Sequence, residues 1–286
     1  MRFAFIEAEK ALYGVSRLCR TLKVSRSGFY KWSRSGPSNR ERDDVRLRAK
    51  VAAIHEESRR TYGSPRVHAV LREDEVVSRK RVARLMAEQR LMGRSPRRFK
   101  RTTDSAHSMK TEPNLLDQDF TATAPNQRWV ADTTELRTPM QKLFLAVVMD
   151  LYSRRIVGWA LGKMNDRFLT LRALDAALGM RRPMPGLLHH SDKGATYTAS
   201  EYRARLEEHC FICSMSGVGN CFDNAAMESW NGTMKCELGE HFESLADANM
   251  KLFDYIECFY NPKRRHSTLG YLSPMQFEEA ARQRAA

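Results

Sequence analysis

The run Leu143-Phe-Leu-Ala-Val-Val-Met149, closed by Asp150, constrains this chain more than any other stretch. Consecutive apolar residues leave no polar face, so the segment reads as a central strand buried on both sides. A strand of that kind needs neighbours in its sheet and helices above and below it. The flanking sequence supplies both. Residues 128–136 and 156–161 read as strands, followed by a helix over 168–180, a short strand at 187–190, a helix over 200–209 and a strand at 211–214. Helices then cover about 225–238 and 245–260. The expected fold class is α/β: a mixed five-stranded sheet flanked by helices.

The first part of the chain differs in kind. Residues 1–110 hold 28 Lys and Arg against 12 Asp and Glu, and residues 111–286 hold 20 against 22. A basic front joined to a near-neutral remainder is the charge pattern of a nucleic-acid-binding module attached to another unit. Residues 11–34 read as two short helices around a break at Lys23-Val24, with Ser25 capping the second. That is helix-turn-helix grammar, and Arg26 and Lys31 on the second helix are candidate phosphate contacts. Residues 43–91 repeat the theme. Pro65 opens a helix, Ser78 caps another, and Arg79, Lys80 and Arg81 project from it as further DNA candidates. The expected organisation is a helix-turn-helix unit over 1–38 and a second helical DNA-binding unit over 39–100. A linker over 101–121 leads to a catalytic core with a helical tail over 122–286.

Three acids in the core carry the chemistry. Asp132 sits in Trp129-Val-Ala-Asp-Thr-Thr, Asp192 in His189-His-Ser-Asp-Lys-Gly and Glu228 in Asp223-Asn-Ala-Ala-Met-Glu-Ser-Trp, with 59 and 35 residues between them. The expected elements place Asp132 within a strand, Asp192 just past a strand end and Glu228 in the first turns of a helix, where they can converge. Gathered carboxylates bind hard divalent cations, and two Mg²⁺ (or Mn²⁺) ions suit phosphodiester chemistry. Lys235, seven residues after Glu228, lies on the same helical face and can hold a DNA phosphate. Arg264 and His266, in Tyr260-Asn-Pro-Lys-Arg-Arg-His-Ser-Thr-Leu-Gly-Tyr, are further phosphate candidates. Each acid taken alone also reads as a cap, a turn residue or a solvated charge.

Six cysteines are spread along the chain. Cys210-Phe-Ile-Cys213 supplies only two zinc ligands and no second pair follows, so the expectation is reduced structural thiols. No apolar run approaches the roughly 20 residues of a membrane span, and the start of the chain does not read as a signal peptide. A cytoplasmic, nucleoid-associated protein is expected.

Taken together, these motifs resemble the catalytic core of bacterial insertion-sequence transposases related to retroviral integrases. Tyr260-Asn-x-x-Arg-x-His-Ser-x-Leu-Gly-Tyr is similar to the C-terminal signature of that family. The Arg60-x-Tyr-Gly and Val77-Ser-Arg-Lys-Arg segments resemble the helix-turn-helix module that precedes its core. The resemblance implies a ribonuclease-H-like fold and a metal-ligand role for Asp132, Asp192 and Glu228. It also implies the second of two overlapping reading frames, acting on double-stranded DNA as a homo-oligomer with the upstream-frame product as fusion or partner. Glu135 stands where the family usually has tyrosine and is expected to add negative charge near the metals. Two other readings stay open on the residues alone: a non-catalytic DNA-binding regulator of transposition, and a ribonuclease-H-like nuclease.

Overall fold

The computed structural model describes residues 2–36, 38–95, 112–217 and 221–285. Part of the expected linker, the end of the second helical unit and the Val218–Asn220 stretch lie outside the described residues.

Three helices open the chain: α1 (Arg2–Tyr13), α2 (Val15–Thr21) and α3 (Arg26–Arg34). Ser25 caps α3 as expected, its side chain accepting from the Gly28 N–H at 3.0 Å. The unit has a small core of its own, with Ile6, Leu18, Cys19 and Phe29 buried together. α1 is not evident in the sequence pattern, because Phe5, Leu12 and Tyr13 stay exposed and blur its apolar face.

The second unit is formed by α4 (Asn39–Glu57), α5 (Ser64–Leu71) and α6 (Arg79–Glu88). α4 starts at a full capping box: the Ser38 side chain accepts from the Glu41 N–H while the Glu41 carboxylate accepts from the Ser38 N–H. That closure satisfies two of the N–H groups a helix start leaves open. The bundle buries Leu47, Val51, Val67, Leu71, Val82 and Leu85.

The core holds one five-stranded sheet in the order β3-β2-β1-β4-β5. Its strands are β1 (Arg128–Arg137), β2 (Lys142–Asp150), β3 (Arg155–Gly162), β4 (Leu188–Ser191) and β5 (Ile212–Met215). β1, β2 and β3 pair antiparallel, whereas β1 with β4 and β4 with β5 pair parallel. The sheet is mixed, as the sequence led one to expect, and β2 is buried along nearly its whole length.

Each face has its own cover. α7 (Arg167–Arg181) and α8 (Ser200–Glu208) pack on Trp129, Ala131, Ala146, Val148 and Val157. Gly158 of β3 makes this contact close, since a Cβ there would strike the backbone of Ala173 and Ala177. On the opposite face lie α9 (Ala225–Glu237), α10 (Leu245–Phe253) and a π-helical segment, Asp254–Tyr260, which continues α10 with a wider turn. α11 (Pro274–Ala285) closes the chain. The core under α9 also includes side chains of the α4–α6 bundle, so the bundle stacks on the outside of this layer.

Two buried charge networks tie the layers together. At the end of α9, Glu237 takes both prongs of Arg264, Nε at 2.8 Å and Nη2 at 2.7 Å, and accepts from the Tyr255 hydroxyl at 2.9 Å. Beyond α7, Glu278 of α11 accepts from Arg155, Arg181 and the Ser153 hydroxyl. Asn261 completes the brace. Its side chain accepts from the N–H of Ile156 and donates to the carbonyl of the same residue, both at 3.0 Å, so a carboxamide stands in for a neighbouring strand on edge strand β3. Next to it, the Tyr62 hydroxyl accepts from the Arg265 N–H at 2.6 Å, Arg66 donates to the Arg265 carbonyl at 3.0 Å and Arg59 pairs with Asp254. The Tyr260–Tyr271 segment is therefore the platform on which the α4–α6 bundle docks.

Breaking a buried pair leaves an uncompensated charge and costs about 3–5 kcal/mol. Glu237→Ala strands Arg264 and should lower unfolding stability by that amount, whereas exposed Glu57→Ala should change it by less than about 0.5 kcal/mol. Urea denaturation followed by circular dichroism checks both, and a Glu237→Ala loss below about 1 kcal/mol would refute the brace.

Candidate active site

Strand alternation decides where the residues of β1 look. Val130 and Leu136 join the core under α9, while Trp129 and Ala131 join the core under α7 and α8. Asp132, two residues after Val130, is thereby on the α9 side. β4 runs beside β1 with Arg128, Trp129 and Val130 opposite Leu188, His189 and His190. The same register, continued two residues, sets Asp132 level with Asp192, which directly follows Ser191 at the end of β4. Neighbouring strands are about 4.8 Å apart, so the two carboxylates face each other across one strand spacing. Glu228 stands in the first turn of α9, which packs on β1.

The electrostatics record the convergence. The Asp132 carboxyl is pushed up to about 8, first by loss of water around it, next by the charge of Asp192, and further by that of Glu228. Burial also raises Glu228. Like charges that disfavour ionisation of Asp132 form a site that a cation relieves. Among the described residues no three His, Cys, Asp or Glu side chains close into a metal cage. The donor set fits Mg²⁺ in its more open mode, in which one or two carboxylates share the ion with water and substrate phosphate.

Asn231, one turn beyond Glu228, is a residue the sequence reading missed. Its Nδ2 donates to Asp132 Oδ2 at 2.7 Å, which favours the charged carboxylate and fixes its direction. Its Oδ1 is buried with no partner among the described residues, an acceptor well suited to a metal-bound water. The i, i+3 spacing from Glu228 was the available signal. The Asp192 loop is held from the other face of β1. Asp192 Oδ1 accepts from the Gly194 N–H at 2.9 Å, and the Tyr197 hydroxyl lies 3.1 Å from that of Thr133.

The two histidines before Asp192 are structural. Ser214 Oγ accepts from the N–H groups of Leu115 and Leu116, so its own proton goes to His190 Nδ1 at 2.9 Å. His190 then donates from Nε2 to Ser216 Oγ at 3.1 Å, a tautomer assigned from the network. Burial lowers His190 to about 4 and His189 to about 3, so both are neutral near pH 7.

Several expectations need correction. Glu135 sits an odd number of residues from Asp132, hence on the opposite face, and is neutralised by Lys142 at 2.9 Å and Arg137 at 3.5 Å. It adds no net charge beside the acids. Arg264 is not a surface phosphate contact: it is 3% exposed and its fork is taken by Glu237. His266 lies next to it, and burial together with Arg264, Arg66 and Arg154 pushes it well below its ordinary value, so it carries no charge for a phosphate. Arg81 is spent on the buried carboxylate of Asp44, at 2.8 Å. Arg26, Lys31, Arg79 and Lys80 are exposed. Lys80 and Arg81 line an open basic groove of about 330 Å³ with Arg40 and Arg84 at the start of α6. Lys235 is on α9 as expected and its nearest acid is Glu240 at 3.9 Å. Cys210 and Cys213 are free thiols.

Family models described as "Integrase core domain" match residues 122–221 and 228–281, and one described as "HTH-like domain" matches residues 41–99. The Insertion element IS600 uncharacterized 31 kDa protein of Shigella sonnei is 44% identical over 272 residues, covering 94% of this chain and all of that protein. Transposase InsF for insertion sequence IS3A of Escherichia coli (strain K12) is 39% identical over 283 residues, covering 97% of this chain and 98% of that one. Among solved structures, the simian T-cell lymphotropic virus intasome in complex with PP2A regulatory subunit B56 gamma matches with a TM-score of 0.47 and 14% identity, over 80% of this chain and 74% of that chain. With an HTH-like domain ahead of an integrase core domain, and 39% identity to InsF over 97% of its own length, the chain belongs to the family of insertion-sequence transposases.

Proposed function

We propose that the protein carries out DNA transposition by metal-dependent cleavage and strand transfer at the ends of its insertion sequence. The observation that carries this is Asp132 on β1 and Asp192 just past the end of the adjacent parallel strand β4, with Glu228 in the first turn of α9, which packs on β1. Asp132, Asp192 and Glu228 are the metal ligands in this reading. A pair of divalent ions there supplies activation of the attacking oxygen and stabilisation of the leaving one. Asn231 orients Asp132, and the Asp192 loop is set by Thr133 and Tyr197. Lys235, two turns along α9 from Glu228, holds a phosphate beside the scissile bond. Arg26, Lys31, Arg79 and Lys80, all exposed, contact the duplex on the helical units. The protein works on DNA as an oligomer, with the upstream-frame product as fusion or partner. No helix among the described residues is long and apolar enough to cross a membrane.

Replacing a ligand carboxylate removes several kcal/mol of transition-state stabilisation. Asp192→Asn should lower strand transfer of element-end DNA in Mg²⁺ by at least about a thousandfold while leaving duplex binding intact. Strand transfer by Asp192→Asn at the wild-type rate would sink the proposal.

The raised Asp132 carboxyl gives a second prediction. A proton holds the site below about pH 8, and a metal ligand must lose it. Mg²⁺ affinity should therefore climb about tenfold per pH unit below that point and level off above it. Asn231→Ala removes a bond that favours the charged form and should displace the curve to higher pH. Titration calorimetry in buffers of different ionisation heat reads the released proton, and a flat profile from pH 6 to 9 would refute the coupling.

A further inference from the structure

A cavity of about 150 Å³ lies where the α4–α6 bundle meets the core, behind the α9 face that carries Glu228. Arg66 of α5, Arg154 of the β2–β3 turn and Arg264 of the C-terminal platform line it, with Trp230 and Thr233 of α9. Glu237 answers Arg264, but among the described residues neither Arg66 nor Arg154 is paired with a carboxylate. Three guanidinium groups against one acid leave about two positive charges around a small polar space. All three are close enough to act on His266, which burial first and then their charge push well below its ordinary value. The buried indole N–H of Trp230 has no partner among the described residues. A buried donor without an acceptor costs about 1–3 kcal/mol, so an unmatched N–H beside surplus cations asks for an anion that accepts hydrogen bonds.

We infer that this cavity is a binding site for a phosphate group, distinct from the triad, held by Arg66 and Arg154 and by donors from Trp230 and Thr233, with Arg264 adding positive charge while its fork stays on Glu237. Guanidinium forks match phosphate oxygens in shape as well as charge. Because Arg66 belongs to the bundle and the other groups to the core, an occupant joins the two units. The chemistry is shared by a backbone phosphate of DNA and by a free phosphate, and the site stands independently of the metal-site reading.

Titration calorimetry of the full chain with inorganic phosphate, at fixed ionic strength in chloride, tests this. Wild type should give saturable single-site binding. Arg154→Asn, which removes the charge at a left-handed position (φ 61°) that Asn tolerates, should weaken it about tenfold. Thr233→Val, nearly equal in volume, should weaken it as well, and circular dichroism confirms that both variants fold. Asp192→Asn should bind phosphate as wild type does, which separates this site from the catalytic one. Phosphate that displaces a labelled element-end duplex from wild type, but not from Arg154→Asn, assigns the site to a DNA backbone phosphate. Phosphate that still binds in the presence of saturating duplex assigns it to a free one. No saturable binding, or equal affinity in wild type and Arg154→Asn, overturns the inference.

Discussion

Strand β1 is the constraint on which the rest depends. It is the middle strand of five, bonded antiparallel to β2 on one side and parallel to β4 on the other. A parallel neighbour requires a crossover, and α7 provides it between β3 and β4. That crossover brings a residue 60 positions later to the level of Asp132. The carboxylate pair is thus a product of topology. It needs no local motif around either acid, only the correct order of strands and a shared register.

A half-buried acid in a central strand is a liability without compensation. Each unit of pKa displacement is worth about 1.4 kcal/mol, and Asp132 is displaced upward by burial and by its neighbours. The fold offsets part of this through the Thr133 N–H and Asn231, and spends stability elsewhere to hold α9 in place. Glu237 sits at the far end of the same helix, anchored by Arg264 and Tyr255. Helix α9 therefore has an end that carries Glu228 and a braced end.

The five strands, the mixed character of the sheet and the elements that carry the three acids were legible in the sequence, because β2 has no polar face and the strand–helix alternation around it is regular; the spatial order of the strands was not. The roles of the basic residues were not. Arg81 and Arg264 look like their exposed neighbours in a string of letters, and what distinguishes them is an acid distant in sequence, Asp44 for one and Glu237 for the other. Glu135 was misjudged for a related reason. Proximity along the chain suggested proximity to Asp132, but an odd spacing on a strand puts a side chain on the other face. Asn231 was passed over because asparagine in a helix usually carries no signal, and only its 2.7 Å bond to Asp132 gives it a role.

The Tyr260–Tyr271 segment joins these points. It looks like a basic nucleic-acid tract, yet its side chains hold protein. Asn261 caps the edge of the sheet, Arg264 anchors α9, and the backbone of Arg265 receives Tyr62 and Arg66 from the bundle. One short stretch thus fixes the outer strand, the helix bearing the third acid and the unit bearing the exposed DNA candidates. In the proposed reading, a motif that touches all three elements sets the distance between duplex binding and chemistry. That distance must be constant for cleavage to fall at a fixed position relative to the bound end.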